Sequence, residues 1–366
     1  MRILLWSEAF LPSIGGVEIL AAAFSEALDA RGHRLSIIVN GKNTEGAPEY
    51  NAMPVHRFDF DQVLASRDIR RYSAMLRDLR HLMRDFQPEL IHVFHLGAGV
   101  FFQMQAAESV AVPSVVTLHQ HLPDSQVQPD HLYGRILRRT SFITACSQAV
   151  LRITRSQVPE IAHRSCVIHN SLKSPLLEPT PPAPGPPRLL CVGRLVYQKG
   201  FDLAIDAFQQ VLRQFPMARL SIAGDGPLRQ ELEAHADRLG LGQSVDFLGW
   251  VDTDRVPFLI STATALLVPS RAEPFGLVTV QAGQAGRAVI AARVGGLPEI
   301  VIDRETGILF EKENSAALAN AIIELHGHPD QLAVMGRKAR LLVEQKFGWE
   351  RFLTAYEDLY RNLCAG

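Results

Sequence analysis

Residues 265–277 read ALLVPSRAEPFGL, and this stretch joins an apolar run to a polar turn and the start of a helix. The run Ala265 to Val268 is typical of a strand buried in a parallel sheet. The turn carries a carboxylate at Glu273 and a bare backbone at Gly276, and a helix is predicted from about Leu277. A helix N-terminus offers free backbone N–H groups and the positive end of a dipole, which together favour phosphate. The stretch therefore predicts an anion site in an α/β fold.

The same strand-then-helix alternation occurs on both sides of a proline-rich segment. Residues 175–187 hold seven prolines, which exclude a helix or a central strand and predict a semi-rigid linker. A chain of 366 residues is long enough for about two domains. The alternation predicts two doubly wound parallel sheets, in residues 1–174 and 188–347, with ligands bound beyond the carboxyl ends of the strands. Helix periodicity restarts at residues 347–349, so residues 348–366 are predicted as a final helix that changes direction.

The predicted elements are short and regular. The predicted strands are residues 3–6, 35–39, 90–94, 114–118 and 142–145 in the first half, and 188–192, 219–223, 245–248, 265–268 and 288–291 in the second. The predicted helices include residues 17–31, 202–214, 228–239 and 277–285, and residues 315–363 are predicted to be helical without a further strand.

Composition excludes several classes of protein. A net charge of −1 and a pI near 6.9 argue against a general nucleic-acid binder. The cysteines form no CxxC pair and no His/Cys metal spacing, so they are interpreted as free thiols in a reducing compartment; they are Cys146, Cys166, Cys191 and Cys364. Neither a signal peptide nor a membrane span is predicted, which indicates a cytoplasmic protein.

One predicted helix carries a basic face. Two interpretations stay open: the helix lies on an anionic bilayer at the inner face of the membrane, or it is a solvated helix that packs on the core of its domain. Its basic residues are Arg67, Arg70, Arg71, Arg77, Arg80 and Arg84.

Glycines and polar residues follow four predicted strands of the second half. Taken singly, each glycine is typical of an ordinary turn that follows a strand. Because the carboxyl ends of parallel strands meet at one edge, four such loops with two cations and a carboxylate favour a shared ligand site. Beside glycines, Arg194 and Lys199 can reach both oxygens of a diphosphate. The loops contain Gly193, Arg194, Lys199 and Gly200; Gly224, Asp225, Gly226 and Pro227; Glu273; and Gly295, Gly296, Leu297, Pro298 and Glu299.

The first half offers fewer signals. Gly15 and Gly16 precede a predicted helix, where they would either let a ligand approach the backbone or serve a loop that needs φ > 0. His119 follows a predicted strand, and a structural role competes there with a binding role. His121 raises a weaker metal-pair interpretation.

These motifs, in this order, resemble a retaining, nucleotide-sugar-dependent glycosyltransferase of family 4. The resemblance implies the GT-B fold, in which two doubly wound Rossmann-like domains face a central cleft. It assigns acceptor binding to residues 1–174 and nucleotide-sugar binding to residues 188–347, and it implies that the C-terminal helix, residues 348–366, crosses back to the first domain. The matching segments span nearly the whole chain and are residues 15–18, His119, residues 192–195 with Lys199 and Gly200, residues 223–227, residues 269–277 and residues 295–299.

The resemblance assigns roles to individual residues. Arg194 and Lys199 would bind the donor diphosphate, Glu273 would hold the donor sugar with the following backbone N–H groups, and His119 would lie near the reacting sugar. These four are the predicted catalytic residues. The predicted donor-binding residues are Gly15, Gly16, Gly193, Gly224, Asp225, Gly226, Pro274, Phe275, Gly276, Leu277 and Gln281.

Position 281 departs from the family pattern, which has a second glutamate there that accepts the donor ribose hydroxyls. Gln281 keeps one carbonyl acceptor and loses the charge, so donor binding is expected to weaken or to tolerate a 2′-deoxyribose.

The implied activity is metal-independent transfer of a sugar from a nucleotide diphosphate sugar to a hydroxyl acceptor, which would be a saccharide, a lipid-linked molecule or a small natural product. UDP is the family's commonest nucleotide, with dTDP and GDP as alternatives. The Asp-x-Asp matches at residues 59–61 and 252–254 are interpreted as surface turns. A nucleotide-sugar epimerase of similar fold and a non-catalytic nucleotide-sugar-binding protein with a decayed site are the competing interpretations. No complete GxGxxG supports a dinucleotide-dependent oxidoreductase.

Overall fold

The computed structural model describes residues 1–41, 48–173 and 184–365. The chain divides into two compact units, the first formed by Met1–Asn170 with Glu350–Gly366 and the second by Ser171–Trp349. The predicted linker, residues 175–187, lies mostly outside the described residues. Each unit is built on an α/β sheet, so the predicted pair of parallel-sheet domains is confirmed.

The first unit contains an eight-stranded sheet. Its strands are β1 Arg2–Ser7, β2 Arg34–Asn40, β3 Glu49–Tyr50, β4 Met53–Phe58, β5 Leu90–Val93, β6 Ser114–Leu118, β7 Phe142–Ala145 and β8 Ser165–Val167. They lie in the order β3-β4-β2-β1-β5-β6-β7-β8. All neighbouring pairs are parallel except β3 and β4, so the carboxyl ends of β1, β2, β5 and β6 share one edge.

The second unit contains a six-stranded, fully parallel sheet. Its strands are β9 Arg188–Val192, β10 Arg219–Ala223, β11 Val245–Gly249, β12 Ala265–Val268, β13 Val289–Ala292 and β14 Gly307–Phe310, in the order β11-β10-β9-β12-β13-β14. Alternate residues of β9 face opposite layers: Leu189 and Cys191 belong to one buried cluster and Leu190 to another. Both faces of the sheet are therefore covered, which explains the uninterrupted apolar strands.

The helices bracket these sheets. They are α1 Gly16–Ala30, α2 Phe60–Ser66, α3 Ile69–Phe86, α4 Val100–Ala106, α5 Leu132–Arg139, α6 Gln148–Gln157, α7 Phe201–Gln214, α8 Arg229–Arg238, α9 Val256–Thr262, α10 Leu277–Gln284, α11 Leu297–Ile300, α12 Ser315–His326, α13 Pro329–Lys346 and α14 Trp349–Ala365. Within the described ranges, no helix is long and apolar enough to span a bilayer.

The prediction of one continuous basic helix is wrong. Arg67 adopts φ 53° and ends α2, and the carboxylate of Asp68 then accepts hydrogen bonds from the backbone N–H groups of Arg70 and Arg71 to start α3. An N-cap of this kind typically stabilises a helix by about 1 kcal/mol, so the aspartate favours a new helix over continuation of the old one. The apolar side of α3 is buried through Leu76, Leu79 and Met83.

The last helix belongs to the first unit and is fixed there by a buried polar network. Tyr356 Oη lies 3.0 Å from Thr117 Oγ1 and 3.2 Å from Thr144 Oγ1. Tyr360 Oη lies 2.5 Å from His92 Nδ1. Burial lowers the pKa of His92 to about 3, so its ring stays neutral and can accept a hydrogen bond.

Candidate active site

The loops predicted to form a site do meet at one edge of the second sheet. In the order β10-β9-β12-β13, the strands before the 193–200, 224–227, 269–276 and 295–296 loops are direct neighbours and parallel. The backbone N–H of Gly296 donates to the Glu273 carbonyl at 3.0 Å, and the N–H of Arg271 donates to the Gln198 carbonyl at 2.8 Å. Backbone hydrogen bonds therefore fix these loops against each other.

Lys199 and Glu273 form a direct ion pair. Lys199 Nζ lies 2.5 Å from Glu273 Oε2, and Ser270 Oγ lies 3.3 Å from the same oxygen. Glu273 is only 7% exposed, and a carboxylate buried to that extent needs a cation or several donors. The other oxygen, Oε1, has no partner in the part of the chain that the structure describes. Glu273 thus has one oxygen held by the protein and one left to accept a hydroxyl.

The start of α10 supplies donors beside this pair. Gly276 has φ 105° and precedes the helix without a side-chain cap. Among the described residues, no acceptor lies within hydrogen-bond distance of the N–H groups of Gly276, Leu277 and Val278. The hydroxyl of Thr279 is buried there and also lacks a partner. An uncapped helix start of this kind can bind an anion.

The glycines at residues 193, 224 and 226 allow two loops to pack backbone against backbone. A Cβ atom at Gly224 would lie 1.9 Å from the Gly193 carbonyl oxygen, and one at Gly226 would lie 2.5 Å from the Leu195 carbonyl oxygen. Asp225 Oδ1 accepts the N–H of Gly226 at 2.7 Å. These residues shape the loops, and their contact with a donor stays a prediction.

Arg194 and Gln281 differ from Lys199 in having side chains without partners among the residues that the structure describes. Arg194 is exposed, and no hydrogen bond or ion pair joins its guanidinium to the described residues. Gln281 lies half-buried on α10, and its amide likewise bonds to none of them. Both side chains are free to bind a ligand.

His119 lies at the carboxyl end of β6 in the first unit. Asn170 Nδ2 is 3.2 Å from its Nδ1, the Phe94 ring is centred 4.8 Å away, and its Nε2 is buried without a partner. Burial, aided by the charges of His95 and His92, lowers the pKa of His119 to about 3. A neutral His119 can act as a hydrogen-bonding group but does not supply positive charge.

Gly15 and Gly16 begin α1, as predicted. Of the two alternatives for this pair, the loop that needs φ > 0 is wrong, since Gly15 is extended with φ −166° and Gly16 is helical. A Cβ atom at Gly15 would lie 2.3 Å from Glu18 Oε2, so the glycine leaves room for that carboxylate to fold over the helix start. A role in phosphate binding stays a prediction.

Comparison with known proteins decides the family. Residues 14–173 match the family model described as Glycosyltransferase Family 4, and residues 175–342 match that of Glycosyl transferases group 1. An uncharacterized glycosyltransferase of Methanocaldococcus jannaschii is 30% identical over 259 residues, which are 69% of this chain and 70% of that protein. The chain belongs to the GT-B glycosyltransferases.

Two further relatives of this glycosyltransferase cover nearly its whole length. A glycogen synthase of Mycobacterium tuberculosis is 28% identical over 98% of this chain and 94% of its own. The solved structure of Anabaena HepE in complex with UDP superposes with a TM-score of 0.82 over 99% of this chain and 100% of that chain, at 22% identity. The predicted GT-B fold is thereby confirmed.

The structure adds Arg271 to the site of this glycosyltransferase. Its guanidinium donates to both Asp202 carboxylate oxygens, at 2.8 and 2.6 Å, and to Glu313 at 2.8 Å, and it lies 4.1 Å from the centre of the Tyr197 ring. The hydrogen bonds that Arg271 donates to the Asp202 carboxylate raise the pKa of Arg271 above its ordinary value. Arg271 thereby joins the loop of Lys199 to the loop of Glu273. No sequence pattern predicts this contact, because Arg271, Asp202 and Glu313 lie far apart along the chain.

Trp250 was also missed. It follows β11, next to β10 in the sheet, and is 52% exposed, while the neighbouring Gly249 carbonyl accepts the N–H of Gly224 at 2.8 Å. Ligands bind at this edge of a parallel sheet, so the exposed tryptophan offers an apolar surface where a ligand can pack. The available signal was its place two residues after the end of a predicted strand, residues 245–248.

Proposed function

We propose that this glycosyltransferase transfers a sugar from a nucleotide diphosphate sugar to a hydroxyl acceptor, with retention of anomeric configuration and without a metal ion. The Lys199–Glu273 pair beside the unpartnered N–H groups of α10 is the observation that carries this proposal. The fold it shares with HepE, which has been solved with UDP and with UDP-glucose, supports a uridine diphosphate donor.

The chemistry follows from where charge grows. As the bond to the anomeric carbon breaks, the leaving diphosphate gains negative charge and the sugar becomes oxocarbenium-like. Fixed cations and a helix N-terminus stabilise that charge without reorganising. Arg194 and Lys199 would supply the cations, and the N–H groups of residues 276–278 would supply the dipole. Protein groups alone can therefore perform the task usually given to a metal ion.

Glu273 would orient the donor sugar. Its free Oε1 can accept a sugar hydroxyl, and a hydrogen bond to a charged acceptor is typically worth about 1.5–3 kcal/mol. Ser270 and Lys199 hold the other oxygen, so the carboxylate is already fixed before the donor binds. Such preorganisation lowers the cost of reaching the reactive geometry.

A thermal-shift screen of UDP, dTDP and GDP and their glucose or mannose derivatives tests donor binding. A nucleotide that binds the folded state alone stabilises it by about 2.7 kcal/mol when present at 100 times its Kd, and this stabilisation raises Tm. The stabilising sugar nucleotide is then incubated with EDTA and a panel of hydroxyl acceptors, and the anomeric configuration of the product is read by NMR. A transferred, retained sugar supports the proposal. Donor conversion that needs no acceptor would favour the epimerase, and binding without conversion would favour the decayed binding protein.

Replacing Gln281 with glutamate is expected to shift donor preference from dTDP-sugars toward UDP-sugars. The new carboxylate would accept ribose hydroxyls through a charge-assisted bond of about 1.5–3 kcal/mol in place of a neutral one of about 0.5–1.5 kcal/mol. We therefore expect the ratio of kcat/KM for UDP-glucose over dTDP-glucose to rise roughly 3- to 30-fold. Gln331→Glu, at an exposed glutamine on α13 of the same unit, controls for added charge. An unchanged ratio in Gln281→Glu would remove this assignment.

Peripheral contact with an anionic membrane stays a proposal, as does a cytoplasmic location. The arginines of α3 are exposed, but its apolar side chains are buried in the first unit. The helix therefore offers charge to a bilayer surface rather than an apolar face, and Ile69, 71% exposed, is its one large apolar side chain among those the structure shows as exposed.

A further inference from the structure

The Arg271 guanidinium donates hydrogen bonds from all three of its nitrogens. Nη1 and Nη2 donate to the two carboxylate oxygens of Asp202, Nη1 donates also to the Tyr197 carbonyl at 3.0 Å, and Nε donates to the Glu313 carboxylate. The side chain is only 11% exposed. Two parallel hydrogen bonds between a planar guanidinium and a carboxylate fix direction as well as distance. Arg271 is therefore held in one defined orientation between these groups.

The contacts of Arg271 lie on both sides of Lys199 in the chain. The arginine side chain holds Asp202, three residues after Lys199, and its backbone N–H donates to the carbonyl of Gln198, directly before Lys199, at 2.8 Å. Glu273 follows Arg271 by two residues on the same loop. The position of the Lys199 ammonium relative to the Glu273 carboxylate therefore depends on the contacts that Arg271 makes.

Glu313 supports the arginine from a third loop, between β14 and α12. Its backbone has φ 61°, in the left-handed region that residues other than glycine adopt uncommonly. A strained backbone of this kind persists where the surrounding structure fixes it, and such residues concentrate at functional sites. The conformation places the Glu313 carboxylate 2.8 Å from Arg271 Nε, which favours a functional role for that contact.

The charges around Arg271 argue against direct contact with a diphosphate. Asp202 and Glu313 place two negative charges beside the single positive charge of the guanidinium. The three side chains together are therefore negative and would repel an anionic leaving group. Lys199 differs, because it forms an ion pair with one carboxylate alone among the described residues. The charge distribution favours an indirect role for Arg271.

We propose that Arg271 is a positioning residue for sugar transfer, which sets the distance and direction between the Lys199 ammonium and the Glu273 carboxylate. The assignment rests on the proposed transferase function. Lys199 would bind the leaving diphosphate and Glu273 the donor sugar, so their relative position aligns the two parts of the donor. A misplacement of about 1 Å can cost roughly 100-fold in rate, so a residue that does not touch the substrate can still govern turnover.

The test replaces Arg271 with lysine, which keeps the positive charge and loses the paired hydrogen bonds. Nucleotide release is measured from UDP-glucose, dTDP-glucose and GDP-mannose, each alone and with glucose, maltose or myo-inositol as a hydroxyl acceptor. Arg271→Lys is expected to lower kcat roughly 10- to 100-fold while KM for the donor changes less than about threefold. Asp202→Asn, which removes the carboxylate that pairs with the arginine, is expected to have the same effect.

Arg304→Lys is the matched control. Arg304 lies in the same unit and also donates from two nitrogens to one carboxylate, that of Glu324, on α12. Its replacement by lysine loses the same kind of paired contact away from the Lys199 and Glu273 loops, so kcat is expected to stay unchanged. A loss in Arg271→Lys and Asp202→Asn no larger than that in Arg304→Lys would overturn the proposal.

A double-variant cycle separates positioning from a structural role. Because Arg271 is proposed to act through Lys199, Arg271→Lys is expected to lower kcat by no more than about twofold in a Lys199→Ala background. A purely structural role, or a direct contact of Arg271 with the diphosphate, would give the full loss in both backgrounds and overturn the proposal. Should Tm show that Arg271→Lys does not fold, Asp202→Asn carries the same cycle. Absence of nucleotide release from every donor in the wild type would instead overturn the proposed function, and the positioning role with it.

Discussion

Replacing Lys199 with alanine is expected to lower both sugar transfer and stability, whereas replacing Arg194 with alanine is expected to lower transfer alone. In the proposed mechanism each variant loses a cation for the leaving diphosphate, and removing one such contact typically costs about 2.7–4 kcal/mol, or roughly 100- to 1,000-fold in turnover. The difference lies in the free protein. Lys199 Nζ is 2.5 Å from the buried Glu273 carboxylate, while Arg194 is exposed without a partner in the described ranges.

The stability change arises because Lys199→Ala leaves Glu273 buried with Ser270 as its remaining side-chain partner among the described residues. An unsatisfied buried group costs about 1–3 kcal/mol, and more if it stays charged. Adding Glu273→Gln to Lys199→Ala removes the stranded charge, so the double variant is expected to regain part of the lost stability but none of the activity.

Chemical denaturation and steady-state transfer rates check both effects, with Lys312→Ala as an exposed control. Unchanged transfer in Arg194→Ala or Lys199→Ala would contradict the leaving-group role of that residue. Equal free energies of unfolding for Lys199→Ala and Lys312→Ala would show instead that the ion pair contributes little to the fold.

The sequence predicts most of the elements because both sheets are buried on two faces, so strands such as β9 and β12 read as plain apolar runs. It misses β3, β4, β8 and β14. The first is a two-residue edge strand, and β8 spans three residues. β4 contains a proline, Pro54, and two half-buried polar residues, His56 and Arg57, while β14 begins at a glycine, Gly307, which is also typical of a turn. Local patterns of these kinds do not distinguish a strand from a loop.

The site likewise has features that the sequence predicts and features that it does not. Glu273 and Lys199 could be placed at one edge because parallel topology brings strand ends together. Their direct ion pair could not be predicted, because it depends on how two loops pack. The bidentate contact of Arg271 with Asp202 and its contact with Glu313 are of the same kind. Each joins residues from different elements, and no periodicity or spacing records such a contact.

Replacing Gly295 with alanine is expected to be among the most damaging single-methyl changes in the second unit. Gly295 has φ +53°, which an alanine adopts at a cost of roughly 1–2 kcal/mol. A Cβ atom there would also lie 1.9 Å from the Glu273 carbonyl oxygen, so the backbone of the Glu273 loop has to move. Overpacking of this kind adds about 1–3 kcal/mol.

Gly240→Ala isolates the steric part of this effect. Gly240 lies in the same unit with φ +72°, and no atom lies within 4 Å of its added Cβ, so only the conformational cost remains. Chemical denaturation should therefore give Gly295→Ala a free energy of unfolding about 1–3 kcal/mol lower than that of Gly240→Ala. Turnover should differ more, because a shift of the Glu273 loop by about 1 Å can cost roughly 100-fold, while Gly240→Ala leaves turnover intact. Equal turnover in the two variants would mean that the position of the Glu273 backbone does not limit catalysis. The activity would then depend on the side-chain contacts of Lys199 and Glu273 instead.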